Sequence, residues 1–394
     1  MGFLPTFRKT LISFLLLLSS QLFSQQLSDS SNITLLTVWP GNEIYSYFGH
    51  TGIRVTDYKQ GFDVVFNYGT FDFDQPGFVA NFLRGKMRYM LSVDDFPMFR
   101  EQYVYEKRRV EEQQLRLTPD DKQAIFYFLA TNAAPENREY YYDFFWDNCA
   151  TRPRDVFFKT LGTRIKIDSS VFNANQTMRQ TLKPYVQKDH WLDFGFDLIL
   201  GMPCEIKAGA MAQTYLPDKL ALMFDHTTVD GQAFVTGKNV ILDIPPDNTP
   251  DQRISPITVT FFILVIGIAL TFIERMKNFH YWWFDFLLFF FSGFMGVFFL
   301  CMWLFTSHYS VPENLNMLWL LPTHLVVAFF LLRKQKQGWL IYYFAATLVI
   351  LLLLLIGWKW NPQPYNLAVL PLILLLANRA IRIALRVKQQ QLTQ

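Results

Sequence analysis

Cysteine and histidine are scarce, at three and six in 394 residues. Three thiols exclude a disulfide-stapled scaffold. No Cys or His pair falls at ligand spacing, so neither a metal nor any other cofactor is expected. Charge is thin as well, at 18% of residues, and its small excess of +3 hides an asymmetry. Residues 25–254 carry 24 Lys and Arg against 30 Asp and Glu, whereas residues 255–394 carry 10 against 3. The acidic part argues against nucleic acid as a partner, because phosphate binding needs clustered cations. No repeat and no low-complexity tract is visible, which removes solenoids and disordered tails from consideration.

Apolar runs are what the chain has, and they are unevenly placed. Arg8 and Lys9 precede an apolar stretch at 11–18 and small or polar residues around Ser24. That is the pattern of a signal peptide over residues 1–24. The next long apolar run begins only after 255, so residues 25–250 form an exported domain large enough for its own core, followed by a proline-rich linker at 251–256. A transmembrane region at 257–388 then holds five runs of membrane length: 257–273, 282–305, 315–332, 339–358 and 367–385. The fifth carries Arg379, Arg382 and Arg386 on one face and reads as a helix that leaves the membrane early. With the exported domain outside, Arg275, Lys277, Arg333, Lys334, Lys336, Arg379, Arg382, Arg386 and Lys388 fall on the cytoplasmic side, against Lys359 outside. This distribution follows the positive-inside rule.

Within the exported domain, short β-rich runs at 33–40, 50–57 and 62–73 alternate with turn residues. A strand is expected at "RYMLSV", a helix opened by Asp94 or Asp95 after it, and another helix behind Thr118, Pro119 and Asp121. Residues 163–250 mix short helices with loops and are expected to wrap the core or meet the membrane. In "DFFWDNCATRPRD", Asp147 or Asn148 is placed to cap a helix starting near Cys149. The thiol then sits where free N–H groups favour a thiolate. Three fates stay open for it: buried filler, disulfide partner of Cys204 in the same compartment, or nucleophile. Cys301 lies in the second membrane run. Among the six histidines, His50 in "FGHTGIRV" opens a strand beside a glycine and is the best candidate base.

"FGHTGIRV" followed at distance by "DNCATR" resembles the circularly permuted branch of the NlpC/P60 papain-like superfamily, to which acyltransferases similar to lecithin:retinol acyltransferase belong. The span 33–160, through "FNYGTFDF", "FLRGK", "YVYEKRRVEEQQLRLT" and "YYYDFFWDNCATRPRD", looks more closely like the DUF4105 domain. The whole architecture is similar to the Lnb-type lipoprotein N-acyltransferases of Bacteroidota. The resemblance implies an α+β papain-like periplasmic domain followed by an all-α transmembrane bundle of about five helices in the bacterial inner membrane. It implies Cys149 as nucleophile, His50 as base, and Asn67 as the side chain that orients the imidazole, with Asp63 and Glu43 behind it. Phospholipid would be the acyl donor and diacylated lipoprotein the acceptor. Arg152, Arg84 and Lys86 are candidates for a lipid phosphate, and His308 and His324 for contacts within the membrane region. Two other readings keep the same residues: a membrane-tethered cell-wall peptidase or amidase, and a non-enzymatic scaffold.

Overall fold

The computed structural model describes residues 26–72, 74–186, 190–245 and 253–392. The expected signal peptide lies outside them. The chain divides into two compact units, one formed by Met1–Gln176 with Lys207–Asn248, the other by Thr177–Ile206 with Thr249–Gln394.

The first unit is built on a seven-stranded antiparallel sheet. In chain order the elements that frame the site are β1 (Asn32–Val38), β2 (His50–Asp57), β3 (Phe62–Thr70), α1 (Phe78–Leu83), β4 (Arg88–Asp95), α2 (Phe96–Tyr105), β5 (Val110–Leu115), α3 (Pro119–Ala133), β6 (Glu139–Tyr141), α4 (Thr151–Leu161) and β7 (Val235–Leu242), beside a small three-stranded sheet of Ile165–Ile167, Thr227–Val229 and Gln232–Ala233. The strand order is β7-β5-β1-β2-β3-β4-β6. Both faces are covered, which explains why the inner strands read as nearly continuous apolar runs. Ile33, Leu35, Ile53, Val55, Phe66 and Tyr68 pack on one face against Ile125, Phe126 and Leu129 of α3 and Val156 and Phe157 of α4. The alternate residues Leu36, Val38, Val65 and Val110 pack on the other against Phe99 and Tyr103 of α2. Each large apolar side chain so buried contributes about 1.5–3 kcal/mol. The expected start of α3 is present as a reciprocal cap: Thr118 Oγ1 accepts from the Asp121 N–H at 3.2 Å while Asp121 Oδ2 accepts from the Thr118 N–H at 3.0 Å.

The second unit is helical: α5 (Met178–Val186), α6 (His190–Ile199), α7 (Pro256–Met276), α8 (Trp282–Phe305), α9 (His324–Phe330), α10 (Trp339–Ile356) and α11 (Val369–Leu392). Among the described residues, α7, α8 and α10 are long and apolar enough to cross a membrane. The third expected run is not one helix. Pro322 interrupts it, leaving a short 3-10 turn at Leu315–Leu318 and the seven-residue α9. That broken segment lies tight against α8, where a Cβ on Gly293 would collide with the Leu325 backbone nitrogen. The fifth run is a continuous helix of 24 residues whose Arg379 is fully buried, while Arg382 and Arg386 stay partly exposed. Residues 177–206 belong to this unit. Asn314 and Asn316 donate to the Leu198 and Asp197 carbonyls at 2.7 and 3.0 Å, and Asn366 donates to Asp197 Oδ2 at 3.0 Å.

Candidate functional site

The site lies at the end of the sheet where β2 begins. β1 delivers Val38 opposite His50, and β3 runs back along β2 so that Asn67 lies near the same end. His50 Nε2 meets Asn67 Oδ1 at 2.5 Å. The Asn67 amide is oriented in turn by Asp94, whose Oδ2 accepts from Nδ2 at 3.1 Å and from Ser92 Oγ at 2.9 Å. Because that carboxylate takes the NH2 side, the amide oxygen must face the imidazole. Nε2 therefore carries the ring proton, and Nδ1 keeps the lone pair that a base needs.

Cys149 reaches this end from the opposite direction. It occupies the turn just before α4, where Asn148 Oδ1 accepts from the Ala150 and Thr151 N–H groups at 2.9 Å and Thr151 Oγ1 accepts from the Asn148 N–H at 2.7 Å. Asn148 is thus the cap, while Asp147 pairs with Arg152. The thiol comes within hydrogen-bonding reach of the Thr51 backbone N–H, one residue past His50. Space for it is made by Gly69. Its φ is +90°, the β3–β4 register slips between Tyr68 and Thr70, and a Cβ there would stand 3.1 Å from Cys149 Cβ. A bulge beside a reactive side chain aims the strand, and only glycine fits both the dihedral and the gap.

Burial governs the electrostatics. It pushes the Cys149 thiol up to about 11, against the opposing pull of the Thr51 and Cys149 N–H groups and of Arg108. It pushes His50 down to about 4, and the Asn67 bond only partly offsets this. Desolvation outweighs the helix-start effect that the sequence led us to expect, so the resting pair is a neutral thiol and a neutral imidazole.

Several other expected residues stand differently. Asp63 is committed to Arg54 at 2.7 Å, and Glu43 precedes a short 3-10 turn without capping it by its side chain. Asp94 takes the place given to them. Of the two residues expected to open α2, Asp95 is the one that precedes it, while Asp94 lies on β4 opposite Val65, one strand from Asn67. Arg152 is occupied, gripping Asp147 at 2.5 and 2.8 Å and lying 3.5 Å over the Tyr140 ring. Arg84 and Lys86 stand exposed behind α1. His324 belongs to the second unit, fully buried with Nδ1 3.2 Å from Ser292 Oγ, and His308 is half-buried in the loop after α8. All three cysteines are free, which closes the pairing of Cys149 with Cys204. Arg108 escaped notice because it sits in the charge run "EKRRVEEQ". It is 4% exposed, bonded to the Trp39 carbonyl at 2.9 Å and Glu106 at 2.8 Å, with Nη2 unpartnered.

A sheet domain that leads into apolar helices of membrane length makes this a membrane protein with a large domain outside the bilayer. Two family models identify it further: the Lnb N-terminal periplasmic domain matches residues 21–183 and the Lnb transmembrane domain matches residues 248–391, about three quarters of the chain together. The chain belongs to the Lnb family, and its sheet domain is periplasmic. No curated protein and no solved structure matches it.

Proposed function

We propose that the protein is a lipoprotein N-acyltransferase of the inner membrane that uses Cys149 as nucleophile and His50 as general base. The observation that carries this reading is the oriented imidazole: Asn67 fixes Nε2 as the protonated nitrogen at the end of the sheet where the Cys149 thiol lies. As the thiol attacks a phospholipid ester carbonyl, its proton passes to His50 Nδ1, and N–H groups at the helix entry stabilise the oxyanion. The lysophospholipid leaves as an alcohol, taking that proton, and an acyl thioester remains on Cys149. The α-amino group of a diacylated lipoprotein cysteine then attacks the thioester and gives its proton to His50, which returns it to the departing sulfur. The product carries an amide-linked third chain. A half-buried site suits this sequence, because a thioester partly shielded from water survives until the amine arrives.

The test is to reconstitute the full chain with acyl-labelled phospholipid and a diacylated lipopeptide and to analyse the peptide by mass spectrometry. An N-acylated peptide supports the reading. Cleavage of a cell-wall peptide in place of acylation would establish the hydrolase, and neither product would leave the scaffold.

Asn67 acts in this scheme as a positioning residue. Asn67→Ala is expected to lower the rate of thioester formation about 10²-fold, since a base displaced by about 1 Å loses that much. Asn67→Asp places a carboxylate against the imidazole and should move the acid limb of the pH profile upward, a shift that a merely structural asparagine would not produce. Activity of Asn67→Ala within about threefold of the parent would remove Asn67 from the mechanism.

A further inference from the structure

The strand ends around Cys149 share a surface feature that catalysis does not use. Val38 pairs with both His50 and Val110, and Thr70 pairs with Met90, so the β1–β2 loop, the β3–β4 connection with α1, and the turn from α2 into β5 all emerge at one end of the sheet. Their large apolar side chains point outward. In α1, "FVANFL", no residue is buried, with Val79 67% and Phe82 54% exposed. Tyr105 at the end of α2 is 88% exposed, and Ile44 and Tyr45 in the β1–β2 loop are exposed too. A six-residue helix that buries nothing gains no stability from a core, and short helices do not persist on propensity alone. Apolar side chains gathered from three separate segments onto one surface mark a binding face.

The structure favours one occupant. The same chain carries three helices fit to cross a bilayer, so a lipid surface is never farther from this domain than its tether. Exposed Arg84 and Lys86 follow α1 directly and make no ion pair among the described residues, leaving cations beside the apolar side chains. Tyrosine and basic residues around an apolar centre are the set that settles in the head-group region, rings and aliphatic stems inward and charges on phosphate.

We propose that this end of the periplasmic domain is a lipid-docking surface, through which Ile44, Tyr45, Val79, Phe82 and Tyr105 enter the outer leaflet while Arg84 and Lys86 pair with phospholipid phosphates. The proposal deepens the acyl-transfer reading, because it brings the Cys149 end of the sheet to the depth of the ester carbonyls. Docking itself does not require that reaction.

The test uses the full chain in nanodiscs of phosphatidylethanolamine and phosphatidylglycerol. An environment-sensitive fluorophore is attached at a single cysteine replacing Val79, Tyr105 or, in the turn at the opposite end of the sheet, Tyr58, with Cys149→Ala, Cys204→Ser and Cys301→Ser as background. Emission at 79 and 105 should shift to the blue and be quenched severalfold by lipids bearing a shallow nitroxide, with no change at 58. Emission at 79 and 105 that matches 58 overturns the proposal, as does quenching that disappears in nanodiscs and returns only with added protein. In the active chain, Phe82→Glu with Leu83→Glu should lower turnover of bilayer phospholipid about tenfold while leaving iodoacetamide labelling of Cys149 unchanged. If the unaltered chain transfers no acyl group and the fluorophores still report lipid, the reaction is wrong and the docking surface stands.

Discussion

Cys149→Ala and His50→Ala should each reduce formation of the triacylated product by at least about 10⁴-fold, because nucleophile and base act as one unit and either loss removes most of what both supply. The thioester, trapped by acid quench and seen by mass spectrometry on the peptide containing Cys149, should vanish in both. The pH profile gives a sharper test of the resting state. Burial sets His50 near 4 and Cys149 near 11. The base is then lost only as pH falls through about 4, and the rate should stay level across neutral pH instead of bending near the ordinary histidine value of about 6.5. The same values act on stability. A histidine whose folded pKa is depressed costs stability as pH falls from about 6.5 toward 4, and a thiol whose folded pKa is raised costs it as pH climbs from about 9 toward 11. An acid limb centred near 6.5 would mean that the imidazole is solvated when it reacts, and that the buried neutral pair is not the reacting geometry.

How much of this was legible beforehand depends on whether a residue's role is local. The cap at Asn148, the strand opened by His50 and the start of α3 follow from neighbours within four residues, and the sequence showed them. Asn67 could be named only through a resemblance, and its partner could not be named at all. Asp94 joins it through the β3–β4 register, which slips at Gly69, and nothing in "RYMLSVDD" discloses a bulge on the strand beside it. The thiolate expectation failed for a similar reason: the helix start is visible in sequence, but the burial that outweighs it comes from elements far along the chain. Arg108 was hidden by composition, since a charge run ordinarily reads as a solvated face. In the membrane region, hydropathy located the apolar runs but not their continuity. Pro322 broke the third, and Arg379 of the fifth turned inward because acidic partners wait for it on two other helices.

Those partners carry the second large expectation. Arg379 is completely buried, with Nε 2.6 Å from Asp285 of α8, Nη2 2.8 Å from Glu274 of α7, and Nη1 2.8 Å from Thr271 Oγ1. Glu274 and Asp285 are equally buried. One guanidinium thus joins three helices, and the inward turn of an ionised side chain follows from the cost of leaving it in lipid. Arg379→Ala should destabilise the folded protein by about 3–5 kcal/mol, because it leaves buried Asp285 with only His280 beside it and buried Glu274 with only the edge contact to Arg382 as counter-charge. Thermal unfolding in detergent would measure this. Adding Glu274→Gln and Asp285→Asn to Arg379→Ala should restore much of the loss, since neutral amides bond to one another at far lower desolvation cost. Arg382→Ala, by contrast, removes long contacts of 3.2 Å to Glu274 and 3.3 Å to the Phe279 carbonyl from a partly exposed side chain and should cost less than about 1 kcal/mol. If Arg379→Ala melted with the parent, the three helices would be held by apolar packing alone, and the buried charges would need a reason other than stability.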